Sequence, residues 1–87
     1  MSKTIMLIMV GKRRETAVEV QKLLTEYGCS IKTRLGIHSA AGDACTEDGL
    51  IILELAGKEE EHKELFGKLS VLKCLTVKME KMTVKNC

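Results

Sequence analysis

The chain has 87 residues, of which 45% are apolar and 30% charged, with a formal net charge of +2. That length holds one domain with one modest core, and the composition is that of a folded domain and not of a disordered segment. Tyr27 and Phe66 are its only aromatic residues, so stacking platforms for single-stranded nucleic acid are missing, and so small a net charge gives no reason to expect direct nucleic-acid binding.

The first strand is expected from about Lys3 to Val10, ending at Gly11, a natural turn residue. Its run Ile5-Met6-Leu7-Ile8-Met9-Val10 is apolar on both faces. It is followed at once by Lys12-Arg13-Arg14, too short for a signal peptide or a membrane span, so a cytoplasmic location and no membrane partner are expected. The basic run at a strand end reads as a solvated turn or as an anion contact. A helix follows from about Arg14 to Tyr27, where Ala17, Val20, Leu24 and Tyr27, with Leu23 beside them, recur at three- and four-residue steps. Gly28 is its expected cap.

The second strand is expected from about Cys29 to His38, with Ile31, Thr33, Leu35 and Ile37 on one face and Lys32, Arg34, Gly36 and His38 on the other. Small and acidic residues from Ser39 to Asp48 then interrupt the pattern, as a loop between antiparallel strands does. Leu50 to Ala56 forms the third strand, framed by Gly49 and Gly57 and again continuously apolar in Leu50-Ile51-Ile52-Leu53. A second helix runs from about Lys58 to Ser70. Glu59, Glu60 and Glu61 complement the dipole at its start, and Leu65, Phe66, Leu69 and Leu72 make its buried stripe. The fourth strand, Leu75 to Met82, alternates apolar and polar residues, and the last few residues are expected to fray. This describes a single domain over residues 1–87, with an ordered core from about 3 to 82.

The order β-α-β-β-α-β is the split arrangement of the ferredoxin-like class, an α+β two-layer sandwich with two helices on one face of a four-stranded antiparallel sheet. That topology makes the first and third strands central, and these are the two continuously apolar ones. A strand apolar on both faces needs cover on both, and 87 residues leave no second layer to supply it. The expectation is a homo-oligomer, dimer or tetramer, assembled through the open sheet face or the edge strands. Ile8, Leu50 and Ile52, bordered by Lys32 and Lys78, are the candidate interface residues.

For chemistry the chain offers little. His38 and Cys45 flank the loop before the third strand, with Asp43, Glu47 and Asp48 in or beside it. Imidazole and thiolate together suit nickel or zinc, yet one chain supplies two good ligands where a stable site needs three or four, so a neighbouring subunit or a loop carboxylate has to complete it. A lone histidine at a strand end and a loop cysteine also have an ordinary structural reading. Cys45 as a reactive thiol, a redox centre, is a remote alternative that the surrounding carboxylates oppose. Arg34, placed by its alternation on the open face just before Gly36, is a candidate for binding a carboxylate or phosphate, with Gly36 leaving space and His38 beside it. Cys29 and Cys74 read as buried small hydrophobes. No nucleophile triad, glycine-rich phosphate loop or paired-carboxylate constellation is recognisable, so no enzymatic activity and no cofactor are expected beyond a possible nickel or zinc ion.

Thr33-Arg34-Leu35-Gly36-Ile37-His38 and, after the loop, Gly49-Leu50-Ile51-Ile52-Leu53-Glu54-Leu55-Ala56-Gly57 resemble the small bacterial iron-only hydrogenase system regulators. Leu65, Lys68-Leu69 and Val77-Lys78 fit that pattern too, and the similarity spans roughly Lys3 to Met82. The resemblance implies an ACT-like fold close to the C-terminal domain of nickel-responsive repressors. It also implies a cytoplasmic, non-enzymatic protein that oligomerises through its sheets and senses a small-molecule ligand or regulates a protein partner. Amino-acid-binding ACT domains place a glycine at the start of helix one, where this chain has Arg14-Glu15-Thr16-Ala17. Nickel-responsive repressors place histidines and a cysteine around the equivalent hairpin; His38 and Cys45 are similar in type and place, and the remaining histidine ligands have no counterpart.

Overall fold

The structure is a computed structural model that describes residues 1–38 and 49–85. Its elements are β1 (Ser2–Val10), α1 (Arg14–Glu26), a short 3-10 turn (Gly28–Ser30), β2 (Ile31–His38), β3 (Gly49–Leu55), α2 (Glu59–Ser70) and β4 (Leu75–Thr83). All strands are antiparallel in one sheet of order β2-β3-β1-β4. This is the ferredoxin-like βαββαβ fold, with the two continuously apolar strands at its centre.

Met6, Ile8 and Val10 of β1 and Ile51, Leu53 and Leu55 of β3 point to the helices, where they meet Val20, Leu23, Leu24 and Tyr27 of α1 and its cap and Leu65 and Leu69 of α2. Leu75, Val77 and Met79 extend that face along β4. Two turns close against each other at one end of the sheet. The Gly11 N–H donates to the Cys74 carbonyl at 2.9 Å, and a Cβ on Gly11 would lie 3.0 Å from that same oxygen, so the approach depends on the missing side chain. Gly57 turns the chain from β3 into α2 with φ +80.

Several expectations change. The first helix ends one residue early: Tyr27 caps it, donating to Leu23 O, and the chain passes into the 3-10 turn instead of a left-handed glycine cap at Gly28. Cys29 therefore lies in that turn and not in a strand, and it and Cys74 are exposed. Neither is the buried small hydrophobe that was expected.

The largest change is in β2. Ile31 pairs with Leu55, but Thr33 pairs with Glu54, and the irregularity between them leaves Lys32 as an extra residue. Such a bulge shifts alternation by one and sends every later side chain to the opposite face. Ile31 packs on the core, whereas Leu35, opposite Ile52, and Ile37, opposite Leu50, turn to the open face. Arg34, opposite the buried Leu53, is on the helix side, not on the open face. Its guanidinium donates to the Gln21 side chain of α1.

Candidate functional site

The sheet face away from the helices is the feature that a physical account has to explain. Ile5, Leu7 and Met9 of β1 stand opposite Glu54, Ile52 and Leu50 of β3 on one side and Glu80, Lys78 and Thr76 of β4 on the other. The bulge adds Leu35 and Ile37 from β2. Leu7 is 38% exposed, Ile37 46%, Leu35 53% and Met9 60%, with Ile5, Leu50 and Ile52 half-buried between them. Three adjacent strands thus present one contiguous apolar surface, which a lone soluble domain rarely carries.

Of the expected interface residues, Leu50, Ile52 and Lys78 lie on this face. Ile8 does not. It is fully buried against the helices, because β1 alternates strictly and Met6, Ile8 and Val10 take the covered side. Leu7 and Met9 occupy the place assigned to Ile8.

Charges of both signs border the apolar centre. The Lys3 ammonium lies 2.6 Å from the Glu54 carboxylate; that hydrogen bond, with Lys32 contributing more weakly through its charge, holds Glu54 below the ordinary glutamate range. Lys78 and Glu80 lie two residues apart on β4, and among the described residues neither has an ion-pair partner.

A second polar layer lies where α1, α2 and the 3-10 turn meet. The Tyr27 hydroxyl donates to Glu64 at 2.5 Å, which raises the phenol's pKa, and the Lys68 ammonium sits 5.0 Å from the Tyr27 ring centroid. Ser30 donates to Glu61. Three buried polar residues among those described, Ser30, Thr16 and His62, escaped the sequence reading. Thr16 donates through Oγ1 to Lys73 O at 2.7 Å, tying α1 to the α2–β4 turn. His62 is 5% exposed, and its Nε2 lies 2.6 Å from the Ala56 carbonyl. A carbonyl only accepts, so Nε2 carries the proton. Its place in line with Leu65 and Leu69 of α2, three and seven residues on, was the available signal.

Of the candidate ligand and metal residues, the structure describes Arg34, Gly36 and the backbone of His38. Arg34 is engaged with α1, and a Cβ on Gly36 would meet nothing within 4 Å. His38 ends the β2–β3 ladder opposite Gly49. Cys45, Asp43, Glu47 and Asp48 lie outside the described residues, so the structure does not bring His38 and Cys45 together or apart. Among the described residues no three His, Cys, Asp or Glu side chains converge as a metal site would require, and no helix is long and apolar enough to cross a membrane.

The fold defines a small ferredoxin-like α+β domain with one sheet face left uncovered by the described residues. Among solved structures, the uncharacterized protein TM1266 from Thermotoga maritima superposes with a TM-score of 0.82 at 23% identity, covering 95% of this chain and 100% of that one. CPII, a nitrogen regulatory PII-like protein from Thiomonas intermedia K12 solved with ADP, AMP and bicarbonate, matches with a TM-score of 0.60 at 16% identity over 97% and 96% of the two chains. A de novo designed protein, Foldit4, matches with a TM-score of 0.55 at 8% identity over 98% and 100%. Likeness at these identities shows the fold alone, since one fold hosts many functions. No family model matches the sequence, and no curated protein matches it.

Proposed function

We propose that this protein is a non-enzymatic, homo-oligomeric regulatory module that senses a small ligand and assembles by packing its open sheet face on that of a second copy. The observation that carries this reading is the exposed apolar surface of Leu7, Met9, Leu35 and Ile37. Its border of both charge signs, Lys3, Lys32 and Lys78 with Glu54 and Glu80, suits a self-complementary partner, because a two-fold axis can bring each sign against the other. The ligand-sensing part of the reading is supported by the PII-like CPII, described with ADP, AMP and bicarbonate. An adenine nucleotide is therefore the first ligand to try. The resemblance of the β2–β3 residues to iron-only hydrogenase system regulators agrees with a regulatory role.

Native mass spectrometry of anaerobically purified protein tests it, because one spectrum reports both assembly and retained ligand. The expected result is an oligomer whose mass Leu7→Lys or Ile52→Lys lowers without unfolding the chain and that gains mass when ADP or AMP is added. A wild-type monomer overturns the assembly. Retained nickel or zinc that is lost in Cys45→Ser replaces the nucleotide reading with a metal sensor built on His38 and Cys45.

A further inference from the structure

The two edges of the sheet are unlike. β2 carries a bulge at Lys32, which keeps an edge from pairing with another strand, and a glycine, Gly36, which weakens the interior of a strand. β4 has neither, and it pairs with β1 without a register shift over all nine residues, Ser2↔Thr83 to Val10↔Leu75. Its outer edge therefore offers a long, regular row of backbone donors and acceptors.

The sequence of that edge selects among ways of filling it. When two antiparallel copies of one strand meet with their helices on the same side, facing residues share a face, so the two-fold axis passes through a residue that meets its own counterpart. Centring on Lys78 opposes two ammonium groups, and centring on Glu80 opposes two carboxylates. Centring on Val77 shortens the overlap to residues 75–79. Centring on Met79 uses the whole strand, Leu75 against Thr83, and sets Lys78 of each copy opposite Glu80 of the other. Lys78 and Glu80, neither of which has an ion-pair partner among the described residues, then pair twice. The helix-side Lys81, already bound to Glu59 at 2.5 Å, falls opposite Val77 and not opposite another charge.

We infer that the β4 edge binds the β4 edge of a second copy, antiparallel and in the register centred on Met79, joining two sheets into one of eight strands. This rests on the reading of the chain as a homo-oligomer but uses a surface separate from the open face. With both contacts formed, the assembly is a tetramer of two joined sheets packed face to face.

Disulfide trapping in a background with Cys29, Cys45, Cys74 and Cys87 changed to Ser reads the register directly. Cα atoms facing each other across an antiparallel pair are about 4.5–5.5 Å apart, within disulfide reach. Met79→Cys is expected to cross-link to itself under mild oxidation. Val77→Cys is not, because four residues of stagger put its counterpart about 13 Å away. In the Met79→Cys protein, Lys78→Glu or Glu80→Lys is expected to slow cross-linking about tenfold by opposing like charges twice, and the double swap is expected to restore it. Cross-linking at 77 in place of 79, or singles as fast as the parent, overturns the register. A protein that stays oligomeric but never cross-links at 79 overturns the edge contact and leaves the open-face assembly intact, whereas a monomer overturns both.

Discussion

The two faces of the sheet are made from nearly the same residues and meet opposite fates. Along β1 the covered side carries Met6, Ile8 and Val10 and the open side Ile5, Leu7 and Met9; along β3 the pairs are Ile51 with Leu53 and Leu50 with Ile52. Composition does not distinguish these sides. What distinguishes them is that α1 and α2 lie over one, so that Ile8 has no solvent contact while Met9 beside it is 60% exposed. On the reading proposed here, an apolar strand side that the described residues leave uncovered is a binding surface, and the open face should behave as one when it is altered.

The largest effect should come from placing one charge on each side. Ile8→Lys buries an unpaired ammonium and should abolish folding, whereas Leu35→Lys should leave the far-ultraviolet circular dichroism unchanged and lower the assembled mass. If both variants unfold, the open face is part of the monomer's core after all. Truncation sharpens the same contrast. Leu53→Ala should cost about 3 kcal/mol through the cavity it leaves, and Leu7→Ala less than about 0.5 kcal/mol, both by urea unfolding at concentrations where the protein is monomeric. Comparable losses would erase the distinction.

A smaller effect tests how β2 joins the open face. Deleting Lys32 removes the extra residue and keeps the facing of all that follows, so Leu35 should still give cross-strand nuclear Overhauser contacts to Ile52, with stability changed by about 1 kcal/mol or less. Loss of those contacts would mean that the bulge is not what orients the strand. The smallest effect is the pH dependence at the rim. Lys3 lowers the pKa of Glu54 in the folded state, so the unfolded state binds more protons as the pH falls through the glutamate range. The stabilisation is present above the ordinary glutamate value and lost as the pH drops through the lowered, folded-state one. Glu54→Gln should flatten the stability-against-pH curve there in thermal melts, and an unchanged curve would show that the Lys3 contact contributes nothing.

The element order was legible because it rests on local periodicity. Ile5 to Val10 and Leu50 to Leu53 are apolar without interruption, and Val20, Leu24, Leu65 and Leu69 recur at helical spacing; all of these residues but Ile5, Leu7, Met9, Leu50 and Ile52 are buried as that pattern requires. The facing of β1 was not legible, since a strand apolar on both sides carries no mark of which side meets the helices, and Ile8 was assigned to the wrong one. The facing of β2 was misread for a different reason. Alternation from Ile31 to Ile37 is regular in the sequence, and nothing in Ile31-Lys32-Thr33 announces that β3 will pair with it two residues against one. The Arg34 and Gly36 readings depended on that alternation. His62 and Thr16 were missed because a polar residue is read as exposed until the carbonyl it binds, Ala56 or Lys73, is brought to it by the fold.

By itself the sequence determined the class of fold and the two central strands, apolar on both sides, because those follow from spacing and composition. Only the tertiary structure decided which residues form the uncovered side, that Leu35 and Ile37 belong to it and Arg34 does not, and that the β4 edge stays regular while the β2 edge is bulged. These depend on register, and register is settled between strands far apart in the chain, through pairings that no single segment encodes.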